Sequence, residues 1–249
     1  DVHGDNRGWF KENWQREKLN ELAPELASFQ PVQNNISFNH AGATRGLHAE
    51  PWDKLVSVAQ GKIFGAWCDL RDGSESFGEV VTHEVGPETA VFVPRGVANG
   101  FQALEETSYC YLVNEHWSAE ARYAAVNLNI VDWPLEPTEI SEKDKQHPAL
   151  AEVSPMPARR ILVTGANGQL GRALKRLLAD AELCTHADFD ITDPPERNWK
   201  QYSAIINCAA YNDVNGAEND RAAAWAVNAE GPARLARIAA ENQLTLVHV

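Results

Sequence analysis

The chain has 249 residues, of which 44% are hydrophobic and 23% charged, with a formal net charge of −13. That is more than one average domain requires and an ordinary balance for a soluble globular protein of two domains. The acidity excludes an extended nucleic-acid or anionic-membrane surface, both of which need basic patches, so any anionic small ligand must find a locally positive site. No apolar run approaches the roughly 18 residues of a membrane helix, and no signal peptide opens the chain. The four cysteines, Cys68, Cys110, Cys184 and Cys208, are far apart, sit in apolar runs and form no CxxC pair, which fits buried thiols in a reducing cytoplasm. Met156 is the only methionine, so Asp1 is not expected to be a natural start.

In chain order, Lys11–Ser28 carries a helical period. Short runs rich in Val, Ile, Phe and Tyr come next, at Lys54–Gln60, Ile63–Leu70, Ala90–Val93 and Ser108–Val113. Turn signals at Gln60-Gly61-Lys62, Arg71-Asp72-Gly73-Ser74 and Pro94-Arg95-Gly96 break them, and this spacing predicts a β-sandwich or barrel. Ala119–Val126 reads as a second short helix. Between about Trp133 and Arg159, five prolines (Pro134, Pro137, Pro148, Pro155, Pro157) punctuate a polar stretch, expected to be the tail of a first domain (1–150) running into a linker (151–159). From Arg160 the pattern alternates. Strands are predicted at Ile161–Thr164, Glu182–His186, Ala204–Cys208 and Leu244–Val249, with helices at Gln169–Ala179 and Gly231–Asn242. Strands alternating with helices of this length predict a parallel sheet over 160–249. The chain stops on a strand, an odd place for such a sheet to end.

Gly165-Ala166-Asn167-Gly168-Gln169-Leu170-Gly171 comes directly after the first of these strands and opens a helix. Glycines there let the backbone turn sharply and approach a pyrophosphate, with the helix N-terminus supplying N–H groups; a purely structural turn is the alternative. At the end of the second strand stands Thr185-His186, where NAD-preferring proteins place a carboxylate on the ribose, so the pattern leans towards NADP. The acidic run Asp188 to Asp193 reads either as an adenine contact or as a solvated turn.

With Asp190-Ile191, Asn207-Cys208-Ala209-Ala210-Tyr211, Val227-Asn228-Ala229 and the closing Leu246-Val247-His248-Val249, the segment from Arg160 resembles the N-terminal part of dTDP-4-dehydrorhamnose reductase, of the extended short-chain dehydrogenase/reductase superfamily. The resemblance implies a partial α/β Rossmann-type domain binding NADP or NAD. Gly165, Asn167, Gly168, Gln169, Leu170, Gly171, Asp190, Ile191, Ala209, Ala210, Tyr211 and Asn228 would line the cofactor groove. Asn215 stands where the family has an aspartate. Those reductases use a Tyr-x-x-x-Lys pair, which no tyrosine here provides.

Most of the first half, Asp5 to Asp144, resembles dTDP-4-dehydrorhamnose 3,5-epimerase, a cupin-like jelly roll. The matching blocks are Asp5-Asn6-Arg7-Gly8-Trp9-Phe10, Gln33-Asn34-Asn35, Arg45-Gly46-Leu47-His48, Lys54-Leu55-Val56, Phe77-Gly78, Pro94 to Phe101, Asp132-Trp133-Pro134 and Ser141 to Asp144. The chemistry needs a base on one face of a 4-keto sugar, an acid on the other, and a group for the enolate oxygen. The resemblance implies that His48 is the base, with Asp144 orienting it; Tyr111 is the acid and Lys54 the enolate partner. Period two puts Tyr109 beside Tyr111. Arg7 and Arg45 would hold the pyrophosphate, and Glu12, Gln33, Asn35, Trp117 and Lys143 the nucleotide of a dTDP-sugar. Such epimerases need no cofactor and are commonly dimers exchanging an N-terminal strand, so a homodimer through the cupin domain is implied. Three positions depart from the family: Ile36 and Asn99 replace histidines, and Gly65 replaces an aspartate.

Metal is the rival chemistry for a cupin. His48 is followed by Ala49-Glu50 with no second histidine, and His40 and His83 have no companions at ligand spacing, so no metal is expected. The sequence thus predicts a multi-domain protein, an all-β jelly roll then a partial α/β unit. Its leading function is epimerase joined to reductase, two steps towards dTDP-L-rhamnose. A non-catalytic sugar-nucleotide-binding cupin module is the alternative, favoured by the three departures, and a scaffolding role for the second half is a third reading.

Overall fold

The computed structural model describes residues 2–249, the side chain of Glu25 excepted. The chain divides into two compact units, Asp1–Pro157 and Ala158–Val249. Among the described residues no helix is long and apolar enough to cross a membrane.

The first unit opens with an antiparallel hairpin, β1 (Val2–Asp5) and β2 (Gly8–Lys11), then α1 (Arg16–Leu22). The helical period over Lys11–Ser28 is thus realised only in its middle. The Gln15 side chain caps α1 by accepting from the Lys18 amide, and Pro24 opens only a single 3₁₀ turn, Pro24–Leu26.

Next come β3 (Gln33–Asn39), β4 (Thr44–Ala49), β5 (Lys54–Gln60), β6 (Ile63–Asp69), β7 (Val80–Val85), β8 (Ala90–Val93), β9 (Val97–Ala103), β10 (Thr107–Val113) and the short β11 (Ala124–Ala125). They build a four-stranded sheet, β3-β10-β5-β8, and a five-stranded sheet, β11-β4-β9-β6-β7. Each named pair is antiparallel. Val56, Val58, Ile63, Trp67, Val85, Val93, Phe101 and Tyr109 form one core cluster, drawing side chains from both sheets.

The other cluster joins Leu47, Ala66, Cys68 and Ala98 to Val126, Leu128, Val131, Val153 and Met156. This corrects two expectations. Ala119–Val126 is not a helix. Eight residues nucleate a helix poorly, and here Ala124 and Ala125 instead pair with the free edge of β4 opposite Ala49 and His48. Nor is 151–157 a free linker: Met156 is 1% exposed, and its amide donates to the Leu70 carbonyl at 2.7 Å. Four-residue α2 (Glu142–Lys145), capped by the Ser141 hydroxyl, closes this wall.

The second unit contains β12 (Arg160–Thr164), α3 (Gln169–Leu174), β13 (Glu182–Cys184), β14 (Tyr202–Asn207), α4 (Val214–Asn219), α5 (Arg221–Trp225), a π-helical turn at Ala226–Glu230, α6 (Gly231–Glu241) and β15 (Thr245–His248). Its sheet is parallel, in the order β13-β12-β14-β15. Strand order therefore reverses between β12 and β14. Leu162 and Ile205 of the sheet and Leu235 of α6 are fully buried, in one cluster with Phe189 and Ile191.

Candidate active site

Two neighbouring cavities of the first unit, of about 660 and about 470 Å³, share Asn35, His48, Glu50, Tyr111 and Lys143 in their linings. The larger also takes in Arg45, Lys54, Asn99, Tyr109 and Asp144. The two sheets contribute opposite sides: β4 carries Arg45 and His48, while β5 and β10 carry Lys54 and Tyr111.

A bulge shapes the β4 side. The β4–β9 register shifts between Arg45 and His48. Gly46, at φ +112°, makes this possible, since a Cβ there would lie 2.5 Å from Gly100 Cα and 2.7 Å from the Asn99 carbonyl oxygen. The Gly46 amide donates to Asp144 Oδ2 at 3.2 Å. Asp144 Oδ1 accepts from His48 Nε2 at 2.7 Å. Burial alone would raise the Asp144 pKa, but the hydrogen bond and charge of His48, with the Gly46 amide, bring it below the ordinary value. An ionised carboxylate only accepts, so the contact places a proton on Nε2, and in the neutral ring the lone pair then falls on Nδ1. That is the tautomer a general base requires.

Arg45 Nε donates to the buried Asn39 side chain at 2.7 Å, which orients the guanidinium fork. On the opposite sheet the Lys54 ammonium, 6% exposed, lies 4.8 Å from the Tyr111 ring centroid and donates to a Glu50 carboxylate oxygen at 2.7 Å. Burial first, then the charge of Glu50, raises the Tyr111 pKa, against an opposing effect of Arg45.

Two of the three departures from the family pattern have physical reasons. Asn99 donates from Nδ2 to the hydroxyl of buried Tyr109 at 3.1 Å, satisfying a phenol that stacks on Phe101. At Gly65 a Cβ would meet the Trp67 ring at 2.4 Å, so the indole fills the space an aspartate would need. Ile36 lines the larger cavity but is 68% exposed.

Other predicted residues sit elsewhere. Gln33 and Trp117 line the smaller cavity, where Gln33 donates to Asn35 Oδ1 and accepts from the Trp117 amide. Arg7 stands on the hairpin, 90% exposed and paired with Asp5, and Glu12 pairs with Lys18 in a separate cavity beside α1. The structure does not bring these two to His48.

Sequence reasoning missed Glu50 and His147. Period-two alternation from His48 points to Glu50, and an i,i+3 step from Asp144 points to His147. His147 packs edge-on against His48 with ring centroids 4.9 Å apart, and its ring nitrogens are buried without a hydrogen-bond partner. Burial, with the charge of His48, lowers its pKa. His48, Asp144 and His147 could hold a metal, their ligand atoms lying within 4.8 Å of one another. The 2.7 Å contact between His48 and Asp144 is, however, a hydrogen-bond length, shorter than the roughly 3.3 Å between two ligands of a tetrahedral zinc.

In the second unit, Gly165 has φ +65°, and a Cβ on it would meet the Ala209 amide nitrogen at 2.6 Å. Gly171 is blocked by the Gly165 carbonyl and Ala166, so the loop cannot be built with side chains at either position. Asn167, Gly168, Gln169 and Leu170 form its exposed crest. The Asn228 amide brackets the backbone of Tyr211, accepting from its N–H at 2.8 Å and donating to its carbonyl at 3.1 Å. Ala209 is half-buried and Ala210 exposed beside that loop. Asp190 Oδ1 accepts from the Thr192 amide and hydroxyl, and Ile191 is 3% exposed, so its side chain belongs to the core rather than to a groove.

The sequence model of the family described as dTDP-4-dehydrorhamnose 3,5-epimerase matches residues 1–152, more than half of the chain. The chain belongs to the dTDP-4-dehydrorhamnose 3,5-epimerase family. It is 51% identical over 166 residues to "Protein RmlC homolog" of Streptococcus pyogenes, covering 62% of this chain and 84% of that protein. The structure of RmlC from Streptococcus suis in complex with dTDP-D-xylose is similar at 48% identity and a TM-score of 0.58, covering 63% of this chain and 86% of that one. Both likenesses concern the cupin fold of the epimerase family. Residues 159–249 match a family described as "RmlD substrate binding domain". The dTDP-4-dehydrorhamnose reductase of Mycobacterium tuberculosis is 46% identical over 98 residues, but the chain spans only 32% of that protein's length.

Proposed function

We propose that this chain epimerises dTDP-4-dehydro-6-deoxyglucose at C3 and C5. The observation that carries the reading is His48 of one sheet bonded to Asp144 of α2 at 2.7 Å, with Tyr111 and Lys54 of the other sheet lining the same cavity. His48 Nδ1 removes the proton next to the sugar carbonyl, and Asp144 stabilises the imidazolium that forms. Lys54 stabilises the enolate oxygen. Tyr111 then returns a proton from the opposite face, which inverts the carbon. The Arg45 fork pairs with the pyrophosphate, while Gln33, Asn35, Trp117 and Lys143 hold the nucleotide in the smaller cavity. Arg7 and Glu12 reach a site only in a second copy, through the exposed hairpin, in a homodimer. NMR assignment of the product's configuration at C3 and C5 tests the activity; substrate recovered unchanged refutes it.

For residues 160–249 the same proposal is the first part of a Rossmann-type reductase domain. The reversal of strand order at β12 and β14, and the glycine loop closed against Ala209, support it. Gly165 to Gly171, with Ala209, Ala210 and Tyr211, would hold NADP or NAD, which supplies hydride when bound. Fluorescence titration with NADPH tests this, and no binding at millimolar concentration counts against it.

A further inference from the structure

Glu50 stands where the two cavities meet, and the proton-transfer steps assigned to His48, Tyr111 and Lys54 do not use it. It comes directly after β4, two residues beyond His48, so both side chains point to one side. Its side chain is 17% exposed, and one oxygen accepts from the Lys54 ammonium at 2.7 Å. That ammonium lies 4.8 Å from the centre of the Tyr111 ring. A carboxylate, an ammonium and a phenol therefore run in sequence across the cavity, from the end of β4 to β10. Burying either charge without the other would be strongly unfavourable.

We propose that Glu50 is a positioning residue for the epimerisation, pinning the Lys54 ammonium over Tyr111 and keeping Tyr111 protonated. The assignment rests on the epimerase reading of this cavity. Lysine has three N–H donors, and Glu50 takes one at a fixed place, which leaves the others for an enolate oxygen. The carboxylate's charge also opposes formation of a phenolate on Tyr111, in line with the raised pKa of that group.

Other ionisable groups face the same cavity: Arg45 and His48 from β4, Lys54 from β5, Tyr109 from β10, Glu139, and Lys143 and Asp144 from α2. Of the carboxylates, Asp144 is bound to His48 and the Gly46 amide. Of the three, Glu50 is the one bonded to Lys54, and its charge, after burial, raises the Tyr111 pKa.

Glu50→Gln and Glu50→Ala separate the two parts of the claim. The amide keeps an acceptor for Lys54 but removes the charge, whereas alanine removes both. Solvent deuterium exchange into dTDP-4-dehydro-6-deoxyglucose is measured against pH, with dTDP affinity read by titration calorimetry. Glu50→Ala is expected to lower kcat by about tenfold or more at unchanged dTDP affinity. Glu50→Gln should recover most of the neutral rate, while its alkaline limb moves to lower pH. A merely structural residue would not move that limb. An alkaline limb in Glu50→Gln identical to that of the unmodified chain overturns the proposal, and so does full activity in Glu50→Ala. If Glu50→Ala fails to fold, the Glu50→Gln profile alone decides. Absence of exchange in the unmodified chain would instead refute the epimerase reading, and this assignment with it.

Discussion

At the scale of single residues, the site depends on side chains whose partners are already fixed. His48 needs a carboxylate on Nε2 to free Nδ1, and Asp144 supplies it while the Gly46 amide holds the second oxygen. Arg45 is held through Nε by Asn39, so the fork arrives pre-oriented. Arg45→Lys should therefore weaken dTDP binding by about tenfold or more although the charge is kept, because a lysine cannot pair bidentately with a pyrophosphate. Titration calorimetry reads this directly, and an unchanged Kd would remove Arg45 from the site. His48, Lys54 and Asp144 stand in matching sequence blocks and Tyr111 in the apolar run Ser108–Val113, and all four line one cavity. Glu50 and His147 were not legible in the sequence alone. One is read only once His48 is known to lie on a strand, the other only once Asp144 is known to lie on a helical turn. The metal question turned on the same gap, since spacing along the chain hid the third member of the cluster.

At the scale of elements, three of the strands that line the cavity are ones the sequence concealed. β5, β8 and β10 are apolar runs, and the pattern predicts them to within a residue. β3, β4 and β9 read Gln33–Asn39, Thr44–Ala49 and Val97–Ala103, where polar and glycine positions serve the site or the bulge and break the alternation. The same conflict between local pattern and function explains the lost helix at Ala119–Val126, whose alanines are used to cover the edge of β4. Gly46→Ala tests the bulge. A Cβ 2.5 Å from Gly100 Cα must push β4 from β9, at a cost of about 2–4 kcal/mol. We expect a clear fall in the thermal midpoint and loss of exchange together. A variant as stable and as active as the parent would show that the bulge does not place His48. The glycine loop of the second unit was legible for the opposite reason: strand, tight turn and helix follow one another directly along the chain.

At the scale of the whole molecule, Arg7 and Glu12 lie outside the cavity that contains His48, and Trp9 and Phe10 of the hairpin are 48% and 68% exposed. Analytical ultracentrifugation is expected to find a dimer, and a monomer that binds dTDP with full affinity would leave Arg7 without a role. The 249 residues contain no tyrosine with lysine four positions on. Orientation and acid catalysis each contribute several kcal/mol to hydride transfer. The chain by itself should thus leave NADPH unoxidised in the presence of dTDP-4-dehydrorhamnose. Steady absorbance loss at 340 nm would contradict that. The central claim is that His48 and Tyr111 act on opposite faces of one sugar, and deuterium incorporation by two variants tests it most directly. In deuterium oxide, His48→Ala should neither exchange nor invert the sugar, at unchanged dTDP affinity. Tyr111→Phe should still exchange, because His48 can remove and return a proton on its own face, yet it should yield no inverted product. Exchange persisting in His48→Ala, or inversion persisting in Tyr111→Phe, would contradict the two-face mechanism.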